Sequence, residues 1–600
     1  MTVRPNILCI VSEDCPPRLG AYGDNLARSP NLDALAKSGV VFENANSTSP
    51  VCAPSRFAIL TGRHAESCPR AQHMQTVAPL PPGFRTCPDM MRAAGYYCTN
   101  NFKTHYNCDV KASEIWDESS KTAHWRNRPG TQPFYAVFNS MATHESCTFK
   151  EQPGDVGPED VTLPPYLPDT PGMRESLARH YNAIALMDAE LGARLAELEE
   201  SGVADDTIVF YYSDHGAALP RSKRYLYDEG LRVPLIVRVP EKWRHLLPYP
   251  PGSHVDTPVS LVDLVPSILA AAEIKPPVPF DGQPFLGSDR IERPVIFGGR
   301  DRMGERYDLT RTIRSRRYRY IRNYAPHRIT GQYVAYEWIG QHYQDYELAK
   351  DAGTLNPLQT RFWQTKPAEE LYDMLVDPSA TSNLVDDPAH AEALAAHRTA
   401  LDAYMLDIRD TGFIPEHSPL ESWEASQDET LYPLKDVMAL AALAITRDPD
   451  NLPGIVETLN HNSPIMRHWA AKGLLMLAID GHALPETLAD VCMNEHDIHA
   501  RIPLAEALGH AGESARWVRV LTDIVKTAPD PRVKLQSLDA LTWLPLFPDI
   551  SLAVIEALHD DEDTYLRQAS DYLSEKLRGT YHPRNRIFNL ERLDGRSMMG

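Results

Sequence analysis

Residues 52–63 read Cys52-Ala53-Pro54-Ser55-Arg56-Phe57-Ala58-Ile59-Leu60-Thr61-Gly62-Arg63. A proline stands two residues after the cysteine, a hydroxyl three after it and an arginine four after it, and an apolar helical stretch follows. The pattern predicts a helix that begins near Cys52. The amide-rich N-terminus of such a helix favours an anion, so this segment is a candidate for binding a charged group.

Apolar strands alternate with amphipathic helices around this segment. We predict strands over residues 7–11 and 207–212 and helices over about 32–37 and 176–201. Ser29 is a plausible N-cap for the first helix, since Pro30 follows it and Gly39 closes the helix. Alternation of this kind predicts an α/β domain with a mostly parallel central sheet.

The chain divides by composition into five parts. We expect an α/β catalytic domain at 1–290, a smaller α+β subdomain with antiparallel strands at 291–414, a linker at 415–430, an all-α region at 431–585 and a tail at 586–600. The linker is marked by prolines and acidic residues. At 600 residues the chain is too long for a single core.

The all-α region carries a periodic signal. Basic residues Arg467, Arg501, Lys534 and Arg567 recur at intervals of 34, 33 and 33 residues, each before an apolar run. Periods of 20 to 50 residues are typical of solenoids. The region resembles HEAT-type repeats, which stack helix pairs, and it is a possible surface for a protein partner or an oligomer contact.

Charge and composition limit the partners. The formal net charge is −21, from 60 Lys and Arg against 81 Asp and Glu. We therefore expect no nucleic acid and no acidic membrane as a partner. A polyanionic substrate would need a local basic pocket.

The N-terminal residues and the cysteines indicate the expected cellular location of the protein. Met1 to Pro5 run directly into the first strand, which leaves no room for a signal peptide. No apolar run approaches the length of a membrane span. Nine irregularly spaced cysteines fit reduced thiols. The expected location is cytoplasmic.

Acidic residues follow both predicted core strands. Glu13 and Asp14 come after the first strand, and Asp214 and His215 come after the later one. Ligands bind at the carboxyl ends of strands in doubly wound sheets. Carboxylate oxygens suit a hard divalent cation such as Ca²⁺, and a histidine adds a nitrogen ligand or a hydrogen bond. Taken alone, each acidic pair is also compatible with a turn or a helix cap.

Several segments in one order resemble type I, formylglycine-dependent sulfatases of the alkaline phosphatase superfamily. The resemblance spans about residues 5–390 and places Cys52 at the site where the family oxidises a cysteine to formylglycine. It rests on these segments: Asn6-Ile7-Leu8 to Asp14, Cys52 to Arg63, Lys103-Thr104-His105, His144, Ser213-Asp214-His215-Gly216, Lys223 to Glu229 with Arg232 to Val237, and Leu371-Tyr372-Asp373 to Leu384.

The resemblance implies an alkaline-phosphatase-like sandwich and a metal site. The metal, most readily Ca²⁺, would be held by Glu13, Asp14, Asp214 and His215 together with the modified Cys52. Many members have an aspartate where this chain has Glu13 and an asparagine where it has His215. A direct or an indirect role of Glu13 therefore stays open.

The resemblance also assigns catalytic roles. Hydrated formylglycine at residue 52 attacks sulfur with one hydroxyl, and its second hydroxyl allows sulfate to be expelled, which a serine cannot achieve. Arg56 and Lys103 orient this group, and His105 assists its deprotonation or the later elimination. His144 and Lys223 contact the sulfate, one of them as the proton donor to the leaving group.

The substrate is predicted to be a sulfate ester or a sulfamate on a carbohydrate. Residues 99–101, 123–126 and 220–223 resemble bacterial sulfatases that are similar to heparan N-sulfatases, and Arg126 is a candidate for binding the sugar. The expected partners are a sulfated small molecule or glycan and a maturation enzyme that generates formylglycine.

Two alternatives remain open from the sequence. A phosphonate monoester or phosphodiester hydrolase would use the same scaffold and the same aldehyde, because sulfate and phosphate share tetrahedral geometry. A catalytically silent module serving the helical tail would instead retain the thiol of Cys52, which could then be a simple buried cysteine.

Overall fold

The protein is described by a computed structural model that covers residues 4–588. Of the segment predicted as a tail, residues 589–600 lie outside the described part. The strands are β1 Asn6–Ser12, β2 Val40–Phe42, β3 Ala45–Asn46, β4 Tyr97–Asn101, β5 Glu118–Ser119, β6 Phe134–Ser140, β7 Thr207–Ser213, β8 Leu235–Arg238, β9 Ser253–Val255, β10 Val259–Ser260, β11 Val295–Arg300, β12 Thr310–Ser315, β13 Tyr318–Asn323 and β14 Glu369–Asp373.

Eight of these strands form the central sheet, in the order β5-β4-β6-β1-β7-β8-β2-β9. Strand β1 pairs in parallel with both β6 and β7, and β4 pairs in parallel with β5 and β6. Only β8 runs antiparallel to its neighbours. The prediction of an α/β domain with a mostly parallel central sheet is confirmed.

Both faces of the central sheet are buried. Along β1, Ile7, Cys9 and Val11 belong to one apolar core, and Leu8 and Ile10 belong to another. Alternate side chains of a strand point to opposite faces, so a continuous apolar strand is what a sheet covered on both sides requires. The position of β1 at the centre of the sheet follows from this pattern.

Helices pack on both faces of the sheet. The two predicted helices are present, and the longer one begins earlier than predicted because Thr170 caps it by accepting the N–H of Met173 and Pro171 fits the first turn. Ser29 precedes α1 but makes no side-chain capping bond. The helices before the second sheet are α1 Pro30–Ser38, α2 Cys52–Thr61, α3 Cys87–Ala93, α4 Ala112–Ile115, α5 Pro171–Glu200, α6 Asp228–Leu231 and α7 Leu264–Ala271.

A second, four-stranded antiparallel sheet has the order β11-β12-β13-β14. It confirms the predicted antiparallel strands of the smaller subdomain. Four helices accompany it or follow it: α8 Gln341–Asp351, α9 Pro357–Thr360, α10 Ala391–Asp407 and α11 Trp423–Gln427.

The C-terminal region is helical, as predicted. Its helices are α12 Leu434–Ala444, α13 Leu452–Thr458, α14 Pro464–Ile479, α15 Leu488–Asn494, α16 Ile498–Ala511, α17 Ser514–Thr527, α18 Pro531–Trp543, α19 Pro548–Glu556 and α20 Thr564–Arg578. Each periodic basic residue occupies the fourth position of its own helix: Arg467 in α14, Arg501 in α16, Lys534 in α18 and Arg567 in α20. The assignment to HEAT-type repeats stays a prediction.

The helical region shares one apolar core with the second sheet. Ile313, Tyr320 and Leu371 from that sheet belong to the same cluster as Trp469 and Leu535 from the helices. The segment predicted as a linker, 415–430, also contains buried residues and the short helix α11. Among the helices of residues 4–588, none combines the length and the apolar character that a membrane-spanning segment needs.

Candidate active site

The carboxylates that follow β1 and β7 lie side by side. The two strands pair in register, with Ser12 opposite Ser213, so the residues after each strand emerge together at the carboxyl edge of the sheet. The backbone N–H of Asp14 donates to Asp214 Oδ1 at 3.2 Å. Glu13, Asp14, Asp214 and His215 are all fully buried.

Asp14 is held in an unusual conformation by several contacts. Its φ of 46° lies in the left-handed region, which aspartate tolerates better than most residues. Asp14 Oδ2 accepts the N–H of Glu145 at 2.7 Å and lies 2.5 Å from Lys223 Nζ. Asp14 Oδ1 lies 2.8 Å from His215 Nε2. The carboxylate orientation is thus fixed by three groups from two distant parts of the chain.

Cys52 is the first residue of α2 and faces this cluster. Its Sγ lies 3.4 Å from His215 Nε2, 3.7 Å from Glu13 Oε2 and 4.0 Å from Asp14 Oδ1. The preceding residue, Val51, offers no side-chain cap, so the first amides of α2 are left to other partners. The predicted helix with Cys52 at its entrance is present.

Two side chains of α2 attach it to the strand ends. Ser55 Oγ donates to the carbonyl of Asp214 at 2.6 Å. The Arg56 guanidinium contacts Glu13 and lies 3.1 Å from Asp214 Oδ2, and its third nitrogen donates to Asn139 Oδ1 at 3.0 Å. Because Arg56 binds carboxylates from both strands, it fixes the position of Cys52 relative to them.

The crowding of acidic groups shifts their pKa values. Burial opposes ionisation, but Arg56 and Lys103 hold the pKa of Glu13 well below its usual range, and Lys223 and His215 do the same for Asp14. Burial and the charge of Glu13 raise the pKa of Asp214. The neighbouring cations therefore favour ionised Glu13 and Asp14, whereas the net shift for Asp214 favours its protonated form.

His215 and Cys52 respond to the same charges. Burial alone lowers the pKa of His215, yet Asp14 and Asp214 raise it well above its ordinary value. Burial raises the pKa of Cys52, but the charges of Lys223 and His215 lower it, and the net shift is downward.

Lys223 belongs to a buried ionic network that extends beyond the predicted residues. Its Nζ lies 3.1 Å from Glu145 Oε2, and Arg224 Nη1 lies 2.9 Å from Glu145 Oε1 and 3.2 Å from Glu337 Oε1. Burial opposes ionisation of Glu145, but Arg224 and Lys223 lower its pKa to about 2. Asp14 likewise raises the pKa of Lys223 against the effect of burial, so the ammonium stays charged.

Lys103, His105 and His144 complete the group around Cys52. Lys103 Nζ lies 3.6 Å from Glu13 Oε2. Burial and the charge of Lys103 lower the pKa of His105 to about 3, so its ring is neutral. His144 Nδ1 lies 3.0 Å from Ser146 Oγ and 3.3 Å from the backbone nitrogen of Ser146, so Nε2 is the ring nitrogen that Ser146 does not engage.

These residues line a cavity of about 300 Å³. Cys52, Lys103, His105, His144 and Lys223 are in its wall. Its size lies at the lower end of the range for small-molecule sites, about 300–1,000 Å³. The structure therefore brings the predicted nucleophile and the predicted sulfate contacts to one pocket.

Arg126 is placed elsewhere. It is exposed in the short 3₁₀ helix Trp125–Asn127 and bonds to the C-terminal end of α5, through Ser201 Oγ at 2.9 Å and the carbonyl of Glu197 at 2.8 Å. It does not line the cavity. Because its guanidinium is hydrogen-bonded to the end of α5, away from the cavity, we leave Arg126 out of the proposed site.

The sequence analysis missed several residues of this pocket. Glu145 and Arg224 directly follow His144 and Lys223 in the chain. Their position next to a predicted residue is the sequence feature that could have identified them. Other side chains reach the cavity from distant segments with no local motif: Glu305, Tyr336, Thr564, Tyr565 and Gln568.

The donor set fits a divalent cation. Ligand atoms of Asp14, Cys52, Asp214 and His215 all lie within 4.8 Å of one another, and so do those of Glu13, Asp14, Cys52 and His144. Carboxylate oxygens are what Ca²⁺ and Mg²⁺ prefer. Burial, and then the charge of Glu13, raise the pKa of Asp214, and a bound cation would favour its ionised form.

Comparisons with known proteins identify the family of the chain. The sulfatase family profile matches residues 5–109 and 97–274. An ulvan-active sulfatase of Formosa agariphila is 36% identical over 482 residues, which cover 71% of this chain and 79% of the relative. The N-sulphoglucosamine sulphohydrolase of Homo sapiens is 26% identical over 505 residues, covering 72% and 95%.

Solved structures show the same fold at low identity. A 2-O GAG sulfatase superposes with a TM-score of 0.51 at 20% identity, covering 68% of this chain and 93% of that chain. The phosphonate monoester hydrolase of Agrobacterium radiobacter has a TM-score of 0.51 at 16% identity, covering 68% and 96%. Sequence and fold together identify a hydrolase with the fold of sulfatases. The chain belongs to the sulfatase family, whose members are sulfuric ester hydrolases.

Proposed function

We propose that this sulfatase hydrolyses a sulfate ester or a sulfamate on a carbohydrate, with a formylglycine derived from Cys52 as the nucleophile. The observation that carries the proposal is the position of Cys52. Its sulfur lies at the N-terminus of α2, between His215 and Glu13, in the wall of a cavity that also presents lysine and histidine side chains.

The cation is proposed to be held by Asp14, Asp214 and His215, with Glu13 as a further oxygen ligand. The three acidic residues contribute hard oxygen atoms, a set that favours Ca²⁺. When bound, the cation would supply positive charge beside the nucleophile and the sulfate oxygens, and the hydrate of the aldehyde at residue 52 would supply the attacking hydroxyl.

Arg56 and Lys103 are proposed to orient residue 52. Arg56 is anchored to Glu13 and Asp214, and Lys103 approaches Glu13 from the cavity side. Both cations stand beside the position where negative charge develops. Fixed charges of this kind need no reorganisation during the reaction.

Lys223 and His144 are proposed to act on the sulfate group. Lys223 stays charged because Asp14 and Glu145 raise its pKa, so it suits charge stabilisation better than proton donation. His144 Nδ1 lies beside Ser146, so Nε2 is the ring nitrogen left to face the ligand. We assign the imidazolium form of His144 as the proton donor: Nε2 gives its proton to the departing oxygen or nitrogen, and the ring returns to its neutral form. His105, neutral at ordinary pH, is assigned to proton transfer at residue 52.

The carbohydrate part of the proposal comes from relatives. The Formosa agariphila protein is named for activity on ulvan, and the human protein is named for N-sulphoglucosamine. Both names denote sulfated sugars. A sulfated glycan fragment is accordingly the substrate class we propose, and a formylglycine-generating enzyme is the proposed maturation partner.

The test is a substrate panel on protein produced together with a maturation enzyme. We expect turnover of an aryl sulfate to exceed that of the matched aryl phosphonate and phosphodiester, and sulfate to be released from sulfated saccharides. Faster phosphorus chemistry would instead favour the phosphonate hydrolase alternative. An intact thiol at residue 52 without bound metal would favour the silent module.

A further inference from the structure

The cavity beside Cys52 has one wall from the far end of the chain. Thr564, Tyr565 and Gln568, within the first turns of α20, line it. The ionic side chains of the cavity come from residues before 310, whereas these three contributions from α20 are neutral. The pocket thus has a charged part, formed by residues before 310, that suits sulfate, and an uncharged part formed by α20.

Gln568 is the side chain of this wall with the most unused bonding capacity. It is 6% exposed, and among residues 4–588 its amide has no hydrogen-bond partner. An amide offers two donors and an acceptor, and neither amide atom of Gln568 is among the fully buried polar atoms without a partner, so both can reach the solvent of the cavity. The position borders the cavity, so a ligand there would satisfy the amide.

The first turn of α20 is tied to the catalytic domain. Tyr565 Oη donates to Gln75 Oε1 at 2.9 Å, across 490 residues of chain, and Gln75 also lines the cavity. The Arg302 guanidinium stacks over the Tyr565 ring at 4.9 Å and pairs with Glu416 at 2.7 Å. These contacts place the wall in a defined position.

The rest of α20 is anchored by a second set of contacts. The rings of Tyr572 and Tyr333 stack with centroids 4.1 Å apart. Beyond the helix, Tyr581 Oη donates to Glu347 Oε2 at 2.7 Å. Side chains locked by packing are suited to selecting one ligand geometry.

We propose that the helical region completes the sugar-binding part of the pocket, with Gln568 hydrogen-bonding hydroxyl or amide groups of the sugar that carries the sulfate. Tyr565 acts as a positioning residue that holds Gln75 at the rim. This inference rests on the proposed function. Neutral amides match neutral sugar groups because both donate and accept hydrogen bonds, and the tail thereby becomes a determinant of substrate choice.

The test compares two substrates on each variant. Gln568→Leu removes the amide at similar volume, and we expect the ratio of kcat/KM for a sulfated saccharide to kcat/KM for a small aryl sulfate to fall about tenfold, the scale of one or two neutral hydrogen bonds. Gln427→Leu is the matched control, since Gln427 is exposed in α11. We expect the control to keep the wild-type ratio.

Tyr565→Phe tests positioning without removing the ring. Loss of the bond to Gln75 should raise KM for the saccharide about threefold while kcat stays within twofold. A merely structural defect would instead lower kcat/KM for both substrates together. Circular dichroism checks the fold of each variant.

A measurement without a substitution in α20 keeps the proposal falsifiable if Gln568→Leu does not fold. In the Cys52→Ala protein, binding of a sulfated saccharide should slow hydrogen exchange at residues 564–568. An unchanged substrate ratio in folded Gln568→Leu, or unprotected amides in α20 with saccharide bound, would overturn the inference. Failure of the wild-type protein to release sulfate from any saccharide would instead count against the proposed function.

Discussion

Asp14 and Asp214 are separated by 200 residues, and the backbone N–H of the first donates a hydrogen bond to the carboxylate of the second at 3.2 Å. This contact exists because β1 and β7 are parallel neighbours that end at the same edge of the sheet. Two carboxylates so close and so buried repel each other, and the raised pKa of Asp214 reflects burial together with the nearby Glu13. A divalent cation is the natural counter-charge.

Removal of one carboxylate should weaken metal binding. We expect Asp214→Asn to lower the affinity for Ca²⁺ at least about tenfold. Substitution of groups that only orient metal ligands already lowers metal affinity or activity by about 10–100-fold, and Asp214 is assigned as a direct ligand. Titration calorimetry of chelator-treated protein measures the affinity, and elemental analysis identifies the ion retained on purification. Asp206→Asn is the control, because Asp206 pairs with Lys242 on the exposed surface. Equal affinity in both variants would contradict the assigned site.

Cys52→Ala should abolish turnover and leave the fold intact, because it removes only a small buried side chain at the start of α2. Cys52→Ser should be as inactive, since a serine has no second hydroxyl for expelling sulfate. Mass spectrometry of the wild-type peptide spanning residue 52 should show an aldehyde in place of the thiol. Full activity in Cys52→Ala would show that another group is the nucleophile.

Lys223→Met should lower kcat about 10²–10³-fold, the effect of removing one charge-stabilising donor in a preorganised site. Circular dichroism must accompany the kinetics, because Asp14 and Glu145 each lose a partner. Lys242→Met, which removes an exposed lysine, provides the comparison. If the two variants show the same kcat, Lys223 has no part in catalysis.

The buried pair of Arg302 and Glu416 should stabilise the protein in a pH-dependent way. Burial opposes ionisation of Glu416, but Arg302 holds its pKa well below the usual range. A lowered carboxyl pKa gives stability that is complete above the ordinary value of about 4.3 and is lost as the pH falls towards the folded-state pKa.

Arg302→Leu is therefore expected to cost about 3–5 kcal/mol at neutral pH, because it leaves a buried carboxylate without its main cation. Urea denaturation measures the cost, which should shrink in acid. The control is Arg316→Leu: Arg316 pairs with Asp256 on the exposed surface, where such pairs contribute about 0–1 kcal/mol. Equal losses in the two variants would contradict the assignment.

Much of the fold could be predicted from local patterns. Continuous apolar runs such as residues 207–212 identified buried parallel strands, and the acids after them identified the ligand edge, because both features follow from how a parallel sheet is covered. The convergence of Asp14, Asp214 and Cys52 needed only that topology. Helix ends were less certain, since α5 begins at Pro171 rather than near residue 176.

Contacts between distant segments could not be predicted in this way. Glu145 and Arg224 form a buried network with Glu337, and neither residue belongs to a motif that indicates its partner. Tyr565 contacts Gln75 although nothing in the periodicity of the helical region favours that approach. Such pairings depend on how whole layers pack, which one sequence does not specify.

The apolar core that joins the second sheet to the helical region has a practical result for protein engineering. Tyr320 and Leu371 belong to the same apolar cluster as Trp469. Truncation of the chain after residue 430 would therefore expose a large hydrophobic surface to solvent and promote aggregation. Shortened versions would not yield a minimal enzyme, and grafting the catalytic half onto another protein would require carrying its helices along.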